Sequence, residues 1–390
     1  MLVNYNLTEE QQMVLNTVKR LAKEKVAPKA ADIEKEGKWP QDIFELFKEN
    51  GLQGIPWPEE YGGTGTGALV LIMAVEELSK YCGVSPFVMS LNDLGAQPII
   101  VAGTEEQKQK YIGQIAAGES LAAFGLTEPD AGSDVASLKT TAILKDGKYI
   151  LNGQKCFISN ADNADIITVF AKTDPAGGHR GISCFVVEKP CPGLIIGKHE
   201  EKMGGDALSA CELFFENCEV PAENMLGKPG QGFFIAMETL DRTRPMIAAV
   251  GVGTAQGCLD YAIQYSKQRV VFGKPIAALQ AIQFKLADMA MKTEAARQLT
   301  YRAAILIDSY LEGNKDIQRT ELSKLGSMAK CYATDVAMYV TTEAIQVCGG
   351  YGYMKDYPIE RRFREAKLLQ LIEGTNEIQR TVMAGCLLRD

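Results

Sequence analysis

The chain has 390 residues, enough for two or three domains around a sizeable core. Its 46% hydrophobic and 23% charged residues are an ordinary globular balance, and a net charge of −8 argues against nucleic acid as a main partner. Ten cysteines include no C-x-x-C pair, and His179 and His199 are the only two histidines. Metal centres built on histidine, Ser-His-Asp triads and Cys-His dyads are therefore set aside, and no metal is expected. Any catalysis has to come from carboxylates and a cofactor.

The cysteines sit at irregular spacings, several in apolar stretches (Cys184, Cys258, Cys348), and read as reduced, buried and inert. Apolar runs stay short of the eighteen or so residues that span a bilayer, so no membrane insertion is expected. The start, Met1 to Asn6, has neither a basic region nor an apolar one, which favours a bacterial-type cytoplasmic protein.

Thr8-Glu9-Glu10-Gln11 forms a capping box, and Met13, Val14, Val18, Leu21, Ala22 and Val26 follow at helical spacing. Pro28 ends or bends that helix. A second helix fits Gln41 to Glu49, stopped by Asn50-Gly51. The glycine-rich stretch Ile55 to Gly65 lacks the Lys-Ser/Thr of a phosphate loop and reads as a plain loop. Helical spacing returns over Ala68–Tyr81, Ser90–Ala102 and Glu105–Ala117.

Around residue 119 the texture changes to strands. They are Thr140–Leu144, Tyr149–Leu151, Lys155–Ser159, Ile166–Ala171, Gly181–Val187, Leu213–Phe215 and Cys218–Val220. Asp146-Gly147 and Asn152-Gly153 are read as hairpin turns between the first three. Residues from about 119 to 228 are expected to form an antiparallel β-domain. From about Gly232 the helical period resumes, with long helices near 246–267, 276–312 and 318–347 and a last one starting near Thr375. Gly251, Gly253 and Gly257 suggest a dinucleotide loop, but they lie inside a helical stretch and read as close helix packing.

Near the end, the apolar run Leu368 to Ile372 delivers one carboxylate, Glu373, onto Gly374, and Thr375 can cap the final helix. A carboxylate in apolar surroundings has its charged form disfavoured and becomes a usable base near neutrality. Gly374 would let another molecule approach the backbone closely.

Six strings, in this order, carry a resemblance. They are Pro58 to Gly63 (PEEYGG), Leu126 to Asp134 (LTEPDAGSD), Asn152 to Lys155 (NGQK), Arg269 to Ile276 (RVVFGKPI), Gln346 to Gly352 (QVCGGYG) and Ile372 to Arg380 (IEGTNEIQR). Together they resemble the acyl-CoA dehydrogenase family of flavoproteins, near its short- and medium-chain, butyryl-type members, from about Leu7 to Leu388. The resemblance implies a multidomain α+β fold. It has an N-terminal α-helical domain (1–118), a central β-domain (119–229) and a C-terminal four-helix bundle (230–390), in a homotetramer. It implies FAD between the β-domain and the bundle. The reaction implied removes a proton from Cα and a hydride from Cβ of an acyl-CoA, passing electrons to electron-transferring flavoprotein. The same site run in reverse as an enoyl-CoA reductase, or a non-catalytic flavin- or acyl-CoA-binding scaffold, are the alternatives.

Carried over by this resemblance, Glu373 is the base, with Gly374 beside the substrate. Phe124, Leu126, Thr127, Phe157 and Ser159 line the flavin. Arg269, Phe272, Gln280 and Gln346, Val347, Cys348, Gly349 and Gly350 reach FAD from a neighbouring subunit, and Thr375 and Glu377 meet its adenosine half. Ser133, Asp241 and Arg244 bind CoA. Relatives with their base on another helix carry it at the position held here by Thr243. Two departures bear on substrate. Asp93 occupies a place in the helix under the acyl tail that is usually small or neutral, which makes it a possible second base. Ile372 replaces a common tyrosine. Both suggest an alicyclic, unsaturated or aryl-substituted acyl group.

Overall fold

The computed structural model describes residues 5–388, so most of the signal-free start read from Met1 to Asn6 lies outside the described residues. Thr8 caps α1 (Glu9–Leu21) through the full capping box. The chain bends through a π turn at Ala22–Val26, ahead of Pro28, into α2 (Ala30–Glu36). Next come α3 (Gln41–Glu49), α4 (Gly67–Ser79), α5 (Ser85–Ala102) and α6 (Glu105–Ala116). α5 begins five residues before the periodicity suggested, because Pro86 is well tolerated in a first turn.

The strands are β1 (Ala122–Gly125), β2 (Thr141–Lys145), β3 (Lys148–Ser159), β4 (Ile166–Lys172), β5 (Ile182–Glu188), β6 (Leu194–His199), β7 (Ala210–Pro221) and β8 (Met225–Leu226). Their order is β6-β7-β3-β2-β4-β5-β8, with β1 alongside β4. The sheet is mixed rather than antiparallel, since β1 pairs β4 in parallel. Asp146-Gly147 does turn, both residues having positive φ. Asn152-Gly153 does not: β3 runs on, and the register slips between Leu151 and Gly153 in a bulge. A Cβ on Gly153 would lie 2.5 Å from Thr140 Oγ1, so only glycine fits there.

The C-terminal part opens with α7 (Gly232–Gln268), fourteen residues earlier than expected and running through Pro245. A short hairpin of β9 (Val270–Val271) and β10 (Lys274–Pro275) leads to α8 (Gln280–Leu311). α9 (Arg319–Cys348), α10 (Ile359–Leu369) and α11 (Asn376–Leu387) complete it. α7 is long and apolar enough to cross a membrane, against the expectation from apolar runs, but 72% of its most apolar window is buried inside the fold. Its glycines serve close packing. A Cβ on Gly253 or Gly257 would lie 2.2 Å from Glu76 O or 2.1 Å from Lys80 O, both on or next to α4. One apolar core joins the two helical parts, with Leu15, Phe47 and Val75 in the same cluster as Met246, Tyr301 and Leu369.

Two contacts fix α5 against the sheet. Asn92 Oδ1 accepts from Ala122 N at 2.8 Å, and Thr168 Oγ1 donates to Gly95 O at 2.9 Å. Gly95 lies so close to β1 that a Cβ would be 2.6 Å from Ala122 C. The helix face carrying Asp93 is thereby set by backbone contact.

Candidate active site

The turn between α10 and α11 holds Glu373 at φ +52° and Gly374 at φ +88°. A non-glycine residue there is strained, so something must hold it. The restraint is Gln379, whose Nε2 donates to Glu373 O at 3.0 Å and Gly374 O at 2.9 Å. Fully buried Lys330 on α9 donates to Gly374 O at 2.8 Å and to Asn376 Oδ1 at 3.0 Å. Asn376 in turn donates to Thr334 Oγ1 and Asp335 Oδ1. Gln379 of the same chain also comes close to Gly374: its Nε2 would be 2.8 Å from an added Cβ.

With its carbonyl tied back, the Glu373 N–H has no backbone partner among the described residues. Its Oε2 accepts from Thr243 Oγ1 at 2.8 Å, while Oε1 is buried without a partner. Burial pushes its pKa up to about 7, against the pull of the Thr243 bond and the Arg244 and Lys330 charges. Thr243 on α7 and Glu373 before α11 thus share one hydrogen bond.

Asp93 is buried, 4% exposed, and accepts from Gln97 Nε2 at 2.8 Å. Burial and then the charge of Glu373 push its pKa up to about 7, with Gln97 and Arg242 pulling down. Two carboxyl groups on different elements therefore sense each other and titrate near neutrality, so ionising one opposes ionising the other.

Asp241 and Arg244, expected along the CoA nucleotide, lie on α7. They are 5% and 3% exposed and pair with each other at 2.8 Å inside the helices, with Ser323 Oγ donating to Asp241. Arg244 acts on Glu373 by charge. Ser133 is exposed on the loop after Gly132.

A platform forms on the sheet. Leu126 is buried, and Phe124, Thr127 and Ser159 are half-buried. Thr127 O accepts from Cys156 N at 3.0 Å. Beneath it lies a pair that the sequence reading did not assign. Lys155, fully buried, donates to Glu128 Oε1 at 2.8 Å and Leu126 O at 3.2 Å. Glu128 also accepts from Thr140 N and Lys139 N, and these donors with the Lys155 charge hold it ionised despite burial. A second bulge in β3, between Lys155 and Ile158, throws Phe157 outward at φ +59° and 64% exposure.

Another group gathers elsewhere. Arg269, Val347, Cys348, Gly349 and Gly350 line one open cavity of about 500 Å³ with Tyr351. Arg269 lies over the Tyr351 ring, 5.5 Å from its centroid. No platform residue lines that cavity. Phe272 caps the β9–β10 hairpin at φ +50° and is 93% exposed. Gln280, Gln346 and Glu377 are exposed, and Thr375 caps α11 by accepting from Ile378 N. Asp162, His199 and Cys211 also bring ligand-type atoms within 4.8 Å, although two histidines had seemed too few for such a set.

Comparison with known proteins points to one family. The N-terminal, middle and C-terminal domains of acyl-CoA dehydrogenase match residues 8–119, 123–218 and 230–388. An acyl-CoA dehydrogenase of Bacillus subtilis is 47% identical over 98% of this chain and 99% of its own. A cyclohex-1-ene-1-carbonyl-CoA dehydrogenase of Geobacter metallireducens is 46% identical, covering 98% and 99%. A solved structure reported for the electron transferring flavoprotein of Acidaminococcus fermentans and its electron bifurcation is 50% identical. It superimposes with a TM-score of 0.94 over 99% of this chain and 100% of that one. The chain belongs to the acyl-CoA dehydrogenase family, and with it is an FAD-dependent oxidoreductase acting on CH–CH groups. The residues fit that cofactor: an exposed aromatic ring held in a strained bulge and an open glycine-lined cavity beside an arginine suit a planar ring and a diphosphate.

Proposed function

We propose that this chain dehydrogenates an acyl-CoA thioester with Glu373 as the base, and that its acyl group is alicyclic, unsaturated or aryl-substituted and met by Asp93. The observation that carries this is the placement of two carboxyls: Glu373 has Oε2 held by Thr243 and Oε1 buried without a partner, and Asp93 is buried on α5 with Gln97 donating to Oδ1. A Cα proton is a weak acid until the thioester oxygen is stabilised by donors placed where charge develops. The unpartnered Glu373 N–H is such a donor, and the Glu373 carboxylate has a pKa suited to taking the proton. Bound FAD would supply hydride-accepting chemistry opposite the base. A plain saturated chain needs one base. On a cyclic 1-enoyl group the Cα carries no hydrogen, so the proton has to leave a ring carbon further from the thioester, and there Asp93 would serve as the base in place of Glu373; on an acyl hydroxyl it would accept a hydrogen bond. The name of the Geobacter relative supports that choice.

Arg269, Gln280 and Gln346 to Gly350 are taken to complete the FAD site of a neighbouring copy in a homotetramer, with Phe272 reaching across. Their separation from the platform and the exposure of Phe272 support this. Ser133 is taken to meet CoA. The Acidaminococcus structure supports electron-transferring flavoprotein as electron acceptor.

Anaerobic titration of the yellow protein with butyryl-CoA and with a cyclohexenecarbonyl-CoA tests the reading. Asp93→Asn is expected to slow bleaching by the cyclic substrate at least about tenfold more than bleaching by butyryl-CoA. Equal retention on both removes Asp93 from the reaction, and full bleaching by Glu373→Gln removes the base.

A further inference from the structure

Asp93 is held by groups that nothing so far has given a role. Gln97 lies one turn on along α5 and donates Nε2 to Asp93 Oδ1 at 2.8 Å. Its Oε1 accepts from Arg242 Nη1 on α7 at 3.5 Å. Arg242 donates Nη2 to Glu238 Oε1 at 2.6 Å, and Glu238 faces Arg319 of α9 at 3.7 Å. The other charges acting on this space are Glu373, and on Glu373 in turn Arg244, itself paired with Asp241, and Lys330.

This chain has one polarity. A guanidinium only donates, so Arg242 claims the amide oxygen of Gln97. The amide nitrogen only donates, so it must meet an acceptor on Asp93. Oδ1 is therefore committed as an acceptor whatever the protonation state of the carboxyl. A proton taken up by Asp93 has to sit on Oδ2, and among the described residues Gln97 is the only hydrogen-bond partner of Asp93.

We propose that Gln97 and Arg242 are positioning residues that reserve Oδ2 of Asp93 for the acyl group, with Glu238 anchoring the guanidinium. This rests on the reading that Asp93 meets the substrate. In that reading Asp93 enters as carboxylate: its Oδ2 would take a proton from an acyl carbon while that C–H pair forms the new double bond and a hydride leaves a second acyl carbon for the family's FAD, or it would accept from an acyl hydroxyl, and Gln97 keeps it turned the right way. Gln97 and Arg242 both favour the ionised form, so losing either raises the pH at which Asp93 becomes a base.

The test uses the holoenzyme carrying Gln97→Leu, Arg242→Met or Arg242→Lys, assayed with butyryl-CoA and a cyclohexenecarbonyl-CoA. The expected result for Gln97→Leu and Arg242→Met is a fall of at least about tenfold at pH 7 in the cyclic-to-straight ratio of turnover. The acid limb for the cyclic substrate should move to higher pH, so that rate returns on going alkaline, which a packing defect would not do. Arg242→Lys, keeping a cation without the fork, should lie between Arg242→Met and the parent. A carboxyl-¹³C aspartate titration gives a readout without turnover, and the Asp93 midpoint should rise in Arg242→Met. Ratios within twofold of the parent, with Asp93→Asn still impaired, overturn the proposal and leave the Asp93 reading standing. Asp93→Asn within twofold of the parent removes both.

Discussion

Thr243 Oγ1 donates a 2.8 Å hydrogen bond to Glu373 Oε2, joining the middle of α7 to the turn before α11. That bond favours the ionised form of the proposed base and pulls against burial. Removing it in Thr243→Ala should raise the Glu373 pKa above about 7. Turnover should fall at pH 6–7 and recover towards pH 9. Glu373→Gln should lose about 10²- to 10⁴-fold at every pH, the usual span for a general base. A pH–rate profile of kcat/KM separates the two, since only the threonine variant keeps a titrating limb.

The same raised pKa has a thermodynamic consequence of definite sign. Burial pushes Glu373 up to about 7 in the folded chain, above the ordinary value of 4.5. Between those two values the folded state binds more protons than the unfolded one, so stability falls as pH rises through the window. Glu373→Gln removes this cost. The variant should be more stable than the parent at pH 8, by roughly 1–3 kcal/mol, with the gain vanishing below pH 4.5. Urea midpoints of the holoenzyme at pH 8 and pH 4.5 check it. A larger gain at the acid end would contradict the assigned burial of Glu373.

What could be read beforehand follows a physical divide. The Thr8 cap, the Asp146-Gly147 turn and the small-residue packing of α7 are local signals, and each was legible. β1 was not, because Ala122 to Gly125 has a single aromatic and no β-branched residue; it is a strand because β4 pairs with it and α5 lies on it. Asn152-Gly153 looked like a turn because dipeptide chemistry does not distinguish a hairpin from a bulge. At the site, Glu373 was visible as a carboxylate at the end of an apolar run, and Asp93 only as a departure from the family pattern. Lys330, Gln379 and Gln97 were not, since their partners lie tens or hundreds of residues away or depend on which helix face is inward. A lysine between Ala329 and Cys331 on an otherwise apolar stretch was the one available hint.

Lys330 offers a test of how the strained turn is kept. It is fully buried and donates to Gly374 O and Asn376 Oδ1, and burial lowers its pKa to about 8. Lys330→Met keeps most of the volume and leaves two acceptors without that donor. A loss of about 2–4 kcal/mol in stability is expected, from unsatisfied buried groups and the freed positive-φ backbone. Turnover should fall with little change in KM, because what is lost is the placement of Glu373. Differential scanning calorimetry and steady-state kinetics on one preparation give both numbers. An unchanged kcat would show that Gln379 alone holds the turn.

Phe157 separates cofactor retention from folding. Its ring is 64% exposed, so truncating it removes little buried surface. Phe157→Ala should change the stability of the apoprotein by no more than about 0.5 kcal/mol. Phe157→Gly should make the apoprotein more stable than Phe157→Ala by about 1 kcal/mol, because φ +59° suits glycine. Both should bind FAD more weakly than the parent, by about tenfold for a lost aromatic contact. Isothermal titration of apoprotein with FAD, beside urea unfolding without it, measures the two effects independently. If truncation destabilised the apoprotein and left FAD affinity intact, the bulge would be serving the sheet and not the flavin.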